Sequence, residues 1–234
     1  MQSKRHAAPA GSAPRSALLA GATGLIGREL LSALLAGTHY ARVHVLLRRA
    51  VPELPHDRKL IPHQVDFNAL PALPAVDDVY VALGTTIKVA GSQAAFRAVD
   101  FEAVVAIARV AREAGAHRIA VVSALGADAK SSVFYNRVKG EMQEAVAQLG
   151  YQSVLFAQPS LLVGNREALG QPPRPGEVWA TRLLRPVMGW VPASVRPIEA
   201  RSVARALLRA TLEAAPGVQM LSSARMQEIG QQPG

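Results

Sequence analysis

Short apolar runs alternate with stretches of helical spacing along most of the chain. "ALLA" (Ala17 to Ala20) has the length and apolarity of a short buried strand. It leads into Leu25 to Leu35, where apolar residues at 25, 26, 30, 31, 34 and 35 trace one helix face. "VHVLL" (Val43 to Leu47) predicts a second strand and "KLIPHQVDF" a third, although Pro62 makes that one a poor central strand. "DVYVAL" (Asp78 to Leu83) is a fourth. A long helix is predicted over Ala94 to Ala114, closed by Gly115. "HRIAVVS" is a fifth strand, Ser132 to Leu149 a helix ending at Gly150, and "SVLFAQPS" a sixth strand. Strands that alternate with helices in this way predict an α/β fold, a doubly wound parallel sheet covered on both faces.

The rhythm fades after Ser160. "GQPPRPGE" (Gly170 to Glu177) reads as a proline-rich loop, followed by a shorter helix, "GWVPASVRPIEA", and a helix from about Ser202 to Glu213. The expectation is a single domain over 16–234, with 160–200 as a small C-terminal elaboration on the substrate side. Residues 1–15, which hold Lys4, Arg5, His6 and Arg15 among Ala, Pro, Gly and Ser, read as a disordered basic tail.

Composition narrows the classes. The chain has 234 residues, half of them hydrophobic and 18% charged, which describes a globular protein with a sizeable core. It contains no cysteine, so disulfides, zinc–thiolate sites and cysteine nucleophiles are excluded. That fits a reducing compartment, and the expected location is the cytoplasm. The net charge of +9 is spread over scattered residues, mostly arginine, as a solubilising excess. No platform of aromatic and basic residues accompanies it, so no nucleic-acid partner is expected. No apolar stretch reaches the roughly 18 residues of a membrane span, and Pro9, Pro14 and Arg15 interrupt the one candidate leader. The histidines (His6, His39, His44, His56, His63, His117) lack metal-ligand spacing, and no metal is expected.

"ALLAGATGLIGREL" sets Gly21, Gly24 and Gly27 three residues apart between a strand and a helix. Such glycines let the backbone turn tightly and approach a pyrophosphate, while the helix N-terminus offers unpaired N–H groups and the positive end of its dipole. The loop points to a dinucleotide. The next strand ends in Arg48 and Arg49, where an NAD site would place an acid to accept from the ribose 2′-hydroxyl. A guanidinium pairs with a phosphate and cannot accept. The preferred cofactor is therefore NADP(H), with NAD(H) as the weaker alternative.

With "GATGLIG", "LGTT", "VVSALGA" and "YNRVK" in this order, the chain resembles the short-chain dehydrogenase/reductase superfamily from about Ser16 to Met226. More narrowly, it resembles the atypical NAD(P)-binding branch that includes the TIP30-like oxidoreductases. The resemblance implies a Rossmann-like fold, an NAD(P)(H) cofactor and carbonyl or alcohol redox chemistry on a small-molecule substrate. It also implies roles. Gly21, Thr23, Gly24, Leu25, Ile26 and Gly27 would form the phosphate loop, and Arg48 would meet the 2′-phosphate. Asp66 and Phe67 would flank the adenine. Ala82, Leu83 and Gly84 would line the adenosine ribose, with Thr85 near the phosphates. Pro159, Ser160, Leu161 and Leu162 would lie at the nicotinamide end, and Ser123, Tyr135 and Lys139 would match the catalytic triad.

The chemistry of that triad is plain. A ketone that accepts hydride needs a proton on its developing alkoxide. A tyrosine, with an ordinary pKa of about 10, serves better beside an ammonium that stabilises its phenolate. Tyr135 and Lys139 are four apart, on one helix face, so both can reach one cofactor ribose. Ser123 ends a strand, where parallel sheets present groups to ligands. Related extended members often carry Asn in the long helix to assist a proton relay, and "RAVDFEAV" carries Asp100 there instead, readable as a helix-face acid. Trp179 and Trp190, flanking Pro186, are candidates for core packing or for a substrate pocket. Two functional readings stand: an oxidoreductase of unidentified substrate, and a cofactor-binding sensor or interaction protein with little turnover.

Overall fold

A computed structural model describes residues 15–163, 195–213 and 215–231. Its main sheet is formed by β1 (Arg15–Ala20), β2 (Tyr40–Leu47), β3 (Leu60–Gln64), β4 (Asp78–Val81), β5 (Arg118–Val122), β6 (Ser153–Gln158) and β9 (Gly217–Ser222). The seven strands run in the order β3-β2-β1-β4-β5-β6-β9 and every neighbouring pair is parallel. β3 lies at the edge, where the N–H that Pro62 lacks is needed least. A second, two-stranded sheet pairs β7 (Leu162–Val163) with β8 (Ile198–Glu199).

Alternate residues of each strand feed two cores, one on either face. Leu19, Val43, Val45 and Leu155 pack with Leu30 and Leu34 of α1 (Leu25–Ala36), Val203 and Leu207 of α6 (Ala200–Leu212) and Met226 of α7 (Ser223–Gln231). On the other face, Leu18, Val79, Val121 and Phe156 pack with Ile107 and Ala111 of α4 (Val104–Glu113) and Met142 and Val146 of α5 (Phe134–Ala147). This is the doubly wound Rossmann-like fold that the alternating pattern predicts. The strand order reverses between β1 and β4, so the crevice for a ligand opens at the C-terminal ends of these two strands.

The opposite end of the sheet is tied by a buried polar cluster. Asp78, fully buried at the start of β4, accepts from the Tyr40 hydroxyl at 2.6 Å, pairs with Arg118 Nε at 2.9 Å, and is bridged by Arg15. Arg15, the last residue of the expected basic tail, therefore belongs to the sheet, which begins one residue before the expected domain start at 16.

The C-terminal region departs from expectation. The sequence after Ser160 shows no clean strand–helix rhythm, yet α6 leads into the seventh strand of the main sheet and α7 ends the described residues. "GVQMLS" lacks a continuous apolar run because Gln219 interrupts it; β9 is an edge strand, with Val218 and Met220 half exposed and Leu221 buried. The rest of the elaboration, 164–194, lies outside the described residues, with Gly170 to Glu177, Trp179, Pro186 and Trp190 in it, as do residues 1–14.

Candidate functional site

The glycine loop is held open by contacts that no side chain would survive. Gly21 has φ +91°, and a Cβ there would lie 2.5 Å from the Ala82 carbonyl oxygen. A Cβ on Gly27 would stand 1.9 Å from the Gly21 carbonyl oxygen. Gly24 is the N-cap of α1 with no side-chain cap bond among the described residues, and no acid occupies the first turn. The first N–H groups of α1 and its dipole thus face the crevice unneutralised, a fit for a pyrophosphate. Ile26 is buried beneath the loop, Leu25 is half-buried and Thr23 is exposed. Beside Thr23, Arg28 and the segment after Arg49 border an open cavity of about 480 Å³.

The ends of the neighbouring strands frame the rest of the crevice. Arg48 and Arg49 are exposed where β2 ends. Asp66 follows β3, and its Oδ1 accepts from the Asn68 backbone N–H at 2.9 Å and from Asn68 Nδ2 at 3.0 Å. Phe67 packs partly against the α4 face of the core. Ala82, Leu83, Gly84 and Thr85 run on from β4, and they lead to an unexpected group. A Cβ on Gly84 would lie 3.6 Å from Asp100 Oδ1 and 4.0 Å from Lys139 Nζ.

Asp100 is no helix-face acid. The long helix predicted over 94–114 begins as α3 (Gln93–Arg97), after a short α2 (Ile87–Ala90), and passes through a π turn at Ala98–Ala103 before α4. Within that turn Asp100 is fully buried. Its Oδ1 meets Lys139 Nζ at 2.7 Å, with Lys139 only 3% exposed, and its Oδ2 accepts the Thr85 backbone N–H at 2.9 Å. Its sequence context did carry a signal. Phe96, Asp100, Ala103 and Ile107 fall on one helix stripe, and a lone acid on an apolar stripe is an acid with a buried partner.

Helix α5 brings three polar side chains to the site at four-residue intervals: Tyr135, Lys139 and Gln143. The Tyr135 ring packs on Phe96, with centroids 5.2 Å apart and an interplanar angle of 37°. Lys139 holds Asp100. Gln143, which the sequence reading passed over, donates from Nε2 to Ser123 Oγ at 2.6 Å, and both residues are buried. Ser123 stands just beyond β5, its N–H bonded to the Ala157 carbonyl at 2.7 Å. The loop after it lies flat on α5, because Gly140 has no side chain: a Cβ there would meet the Ala129 nitrogen at 2.0 Å.

Beyond β6, where the resemblance puts the nicotinamide end, Pro159 is buried and its carbonyl accepts the Leu125 N–H at 3.0 Å. The Ser160 hydroxyl donates to the Arg196 carbonyl and lies 2.9 Å from the Ser223 hydroxyl. Leu161 is exposed and Leu162 enters β7. Among the described residues, exposed large apolar side chains include Leu125, Val133, Leu161 and Val195 here and Val89 on α2.

A parallel sheet with an open glycine loop at its switch point is a dinucleotide-binding class of protein, and the chain belongs to the NAD(P)H-binding family, whose model matches residues 21–155. Its relatives include proteins named Fmp52. The fmp52 protein of Emericella nidulans is 30% identical over 210 residues, which cover 85% of this chain and 88% of the relative. That of Aspergillus fumigatus is 33% identical over 211 residues, with 85% and 88% covered. Both relatives are named mitochondrial, which overturns the cytoplasmic expectation. A chain without cysteine says only that a reducing setting suits it, not which one.

Solved structures share the fold. MoeE5 in complex with UDP-glucose and NAD superposes with a TM-score of 0.66 at 17% identity, over 88% of this chain and 75% of that one. The Helicobacter pylori ADP-L-glycero-D-manno-heptose-6-epimerase gives 0.65 at 15% identity, over 89% and 76%.

Proposed function

We propose that the chain is an NADP(H)-dependent oxidoreductase of the TIP30-like, short-chain dehydrogenase type, acting on a small carbonyl or alcohol. The observation that carries this reading is the row on α5, where Tyr135, Lys139 and Gln143 stand at four-residue intervals, Lys139 close to Gly84 beyond β4 and Gln143 bonded to Ser123. The loop and the bare N-terminus of α1 would hold the pyrophosphate, Arg48 the 2′-phosphate, and Lys139 the nicotinamide ribose. When bound, the cofactor supplies or takes up the hydride at the substrate carbon. In reduction, Tyr135 gives its phenolic proton to the carbonyl oxygen as the C=O π bond opens, and recovers a proton from solvent. Ser123 holds that oxygen in place. The relatives' names support a mitochondrial setting.

One observation favours a second reading, a cofactor-binding sensor with little turnover. Lys139 is already committed to Asp100, so the ammonium is neutralised from below. An NADPH-oxidation screen against aldehydes, ketones and quinones separates the two. Turnover that falls by about 10²–10⁴-fold in Tyr135→Phe, with NADPH affinity kept, supports the enzyme. Tight NADPH binding without turnover on any class supports the sensor. Cofactor choice is read by calorimetry with NADPH and NADH. Arg48→Ala weakens NADPH by about 1.5–3 kcal/mol, the scale of a charge-assisted bond, and leaves NADH nearly unchanged. Equal affinities for both cofactors in the native protein refute the NADP(H) assignment.

A further inference from the structure

Among the described residues, the exposed large apolar side chains gather in two places. Val218 and Met220 lie on the edge strand β9. The others, Val89, Leu125, Val133, Leu161 and Val195, lie on the connections beyond β4, β5 and β6, at the end where a parallel sheet meets its ligands. Leu125 follows Ser123 by two residues and Val133 precedes Tyr135 by two. Backbone bonds lace these segments together: the Leu125 N–H donates to the Pro159 carbonyl at 3.0 Å, and the Ile198 N–H to the Leu161 carbonyl at 2.9 Å. Polar side chains among them are bonded within the connections. Ser131 Oγ accepts the Val133 N–H at 3.1 Å, Asp128 Oδ1 accepts the Lys130 N–H at 2.9 Å, and Ser160 Oγ donates to the Arg196 carbonyl.

Val133 sets this rim apart from scattered surface residues. It is the N-cap of α5, where serine, threonine, asparagine or aspartate is favoured because its side chain accepts an N–H of the first turn. Val133 makes no such bond, although Ser131 and Ser132 stand directly before it. The helix thus goes without a cap and shows a valine, 55% exposed, two residues from Tyr135. A local rule broken beside a site points to a use for the residue that breaks it.

We propose that Leu125, Val133, Leu161 and Val195 seat a hydrocarbon tail, so that the substrate is an aldehyde or ketone with an uncharged aliphatic chain on its carbonyl carbon. The inference rests on the oxidoreductase reading and names the substrate class for it. Hydride passes from NADPH to the carbonyl carbon and the proton from Tyr135 to its oxygen, leaving NADP⁺ and an alcohol. The tail lies against the rim, where each methylene withdrawn from water favours binding. Lys88 and Lys130 are exposed on the same connections and offer the competing seat, one for a carboxylate at the far end of the chain.

The test measures kcat/KM with NADPH for butanal, hexanal, octanal and 8-oxooctanoate. A half-open rim recovers about half the effect of full burial, about twofold per methylene, so octanal should exceed butanal by about 10–20-fold. The carboxylate of 8-oxooctanoate should place it about tenfold below octanal. Val133→Ser supplies the missing cap, so it should raise Tm by about 2–4 °C while lowering the octanal-to-butanal ratio by about threefold. A merely structural role would move both aldehydes together and leave that ratio alone. Leu125→Ser is the second variant and should lower the ratio likewise. A flat series, an 8-oxooctanoate that matches octanal, or a ratio unmoved in both folded variants overturns the inference and leaves the proposed function standing. A flat series with binding to phosphatidylcholine vesicles that Val133→Ser abolishes also overturns it, and assigns the rim to a bilayer. A protein that binds NADPH and reduces none of these aldehydes overturns the inference, and the proposed function falls with it only if the ketones and quinones of the screen also go unreduced.

Discussion

Removing the Asp100 carboxylate exposes how much the site depends on one ion pair. Lys139 Nζ lies 2.7 Å from Asp100 Oδ1, with 3% and 0% side-chain exposure, so solvent does not screen it. At an effective dielectric of about 20, unit charges at that separation attract by about 6 kcal/mol. Desolvation of the two groups offsets much of that attraction, but taking away one partner strands the other, and that costs about 3–5 kcal/mol. Asp100→Ala also leaves the Thr85 N–H without its acceptor. For a chain of this size, about 2–4 °C per kcal/mol converts the loss into a fall in melting temperature of about 6–20 °C. The decisive assay is a double-mutant cycle in urea: native, Asp100→Leu, Lys139→Met and the pair. If the interaction is as buried as its geometry states, each single variant is costly and the double variant recovers most of the loss. Additive losses, or single costs below about 1 kcal/mol, would refute the reasoning. Asp100→Asn keeps an acceptor for Thr85 and separates the charge from the hydrogen bond.

Gly140→Ala drives a methyl group into the backbone of Asp128 and Ala129, so it should cost about 1–3 kcal/mol in urea melts and displace Ser123; a native melt would show that the loop yields freely. His44 sits stacked on His63 with ring nitrogens 2.8 Å apart, and burial, then the charge of His63, then Arg42, hold its pKa below the ordinary histidine value. The unfolded chain therefore binds the proton more readily, and stability should be complete above pH ~6.5 and decline as pH falls toward the lowered pKa. His44→Phe should flatten that decline in melts between pH 5 and 7, and an unaltered slope would assign it elsewhere. Asp78→Asn should cost about 3–5 kcal/mol while NADPH affinity, read by calorimetry, stays native, because Asp78 lies at the end of the sheet away from the glycine loop.

The fold was legible wherever burial on both faces forced continuous apolar runs, as in β1, β2, β5 and β6. It was illegible at β9, where Gln219 breaks the run and apolar Val218 and Met220 lie on the exposed side, so the pattern of residue types does not follow burial. The glycine loop could be read because its steric demand, at Gly21 and Gly27, admits no other residue. Tyr135 and Lys139 could be read from their spacing. Asp100 and Gln143 were harder. Each is an ordinary polar residue on a helix, and its meaning comes from a partner far along the chain, Lys139 at 39 positions and Ser123 at 20. Local periodicity has no access to such pairs, though an acid on the Phe96–Ile107 stripe was a usable clue.

The π turn at Ala98–Ala103 carries a consequence for how this site tolerates change in chain length. A π turn accommodates one residue more than the α-helical turn it replaces. Deleting a single residue there would restore a regular helix, at about 100° of rotation per residue. Phe96 before the deletion and Ala103 after it would keep their facings, because the wide turn had taken up the extra residue, but the residues inside the turn would shift around the helix. Asp100, inside the turn, would swing off Lys139 while Phe96 kept the Tyr135 ring, with every one of those side chains still present in the sequence. The charge balance of the site is thus written in the count of residues as well as in their identities, and a relative can retain all the letters yet lose the pair through one deletion.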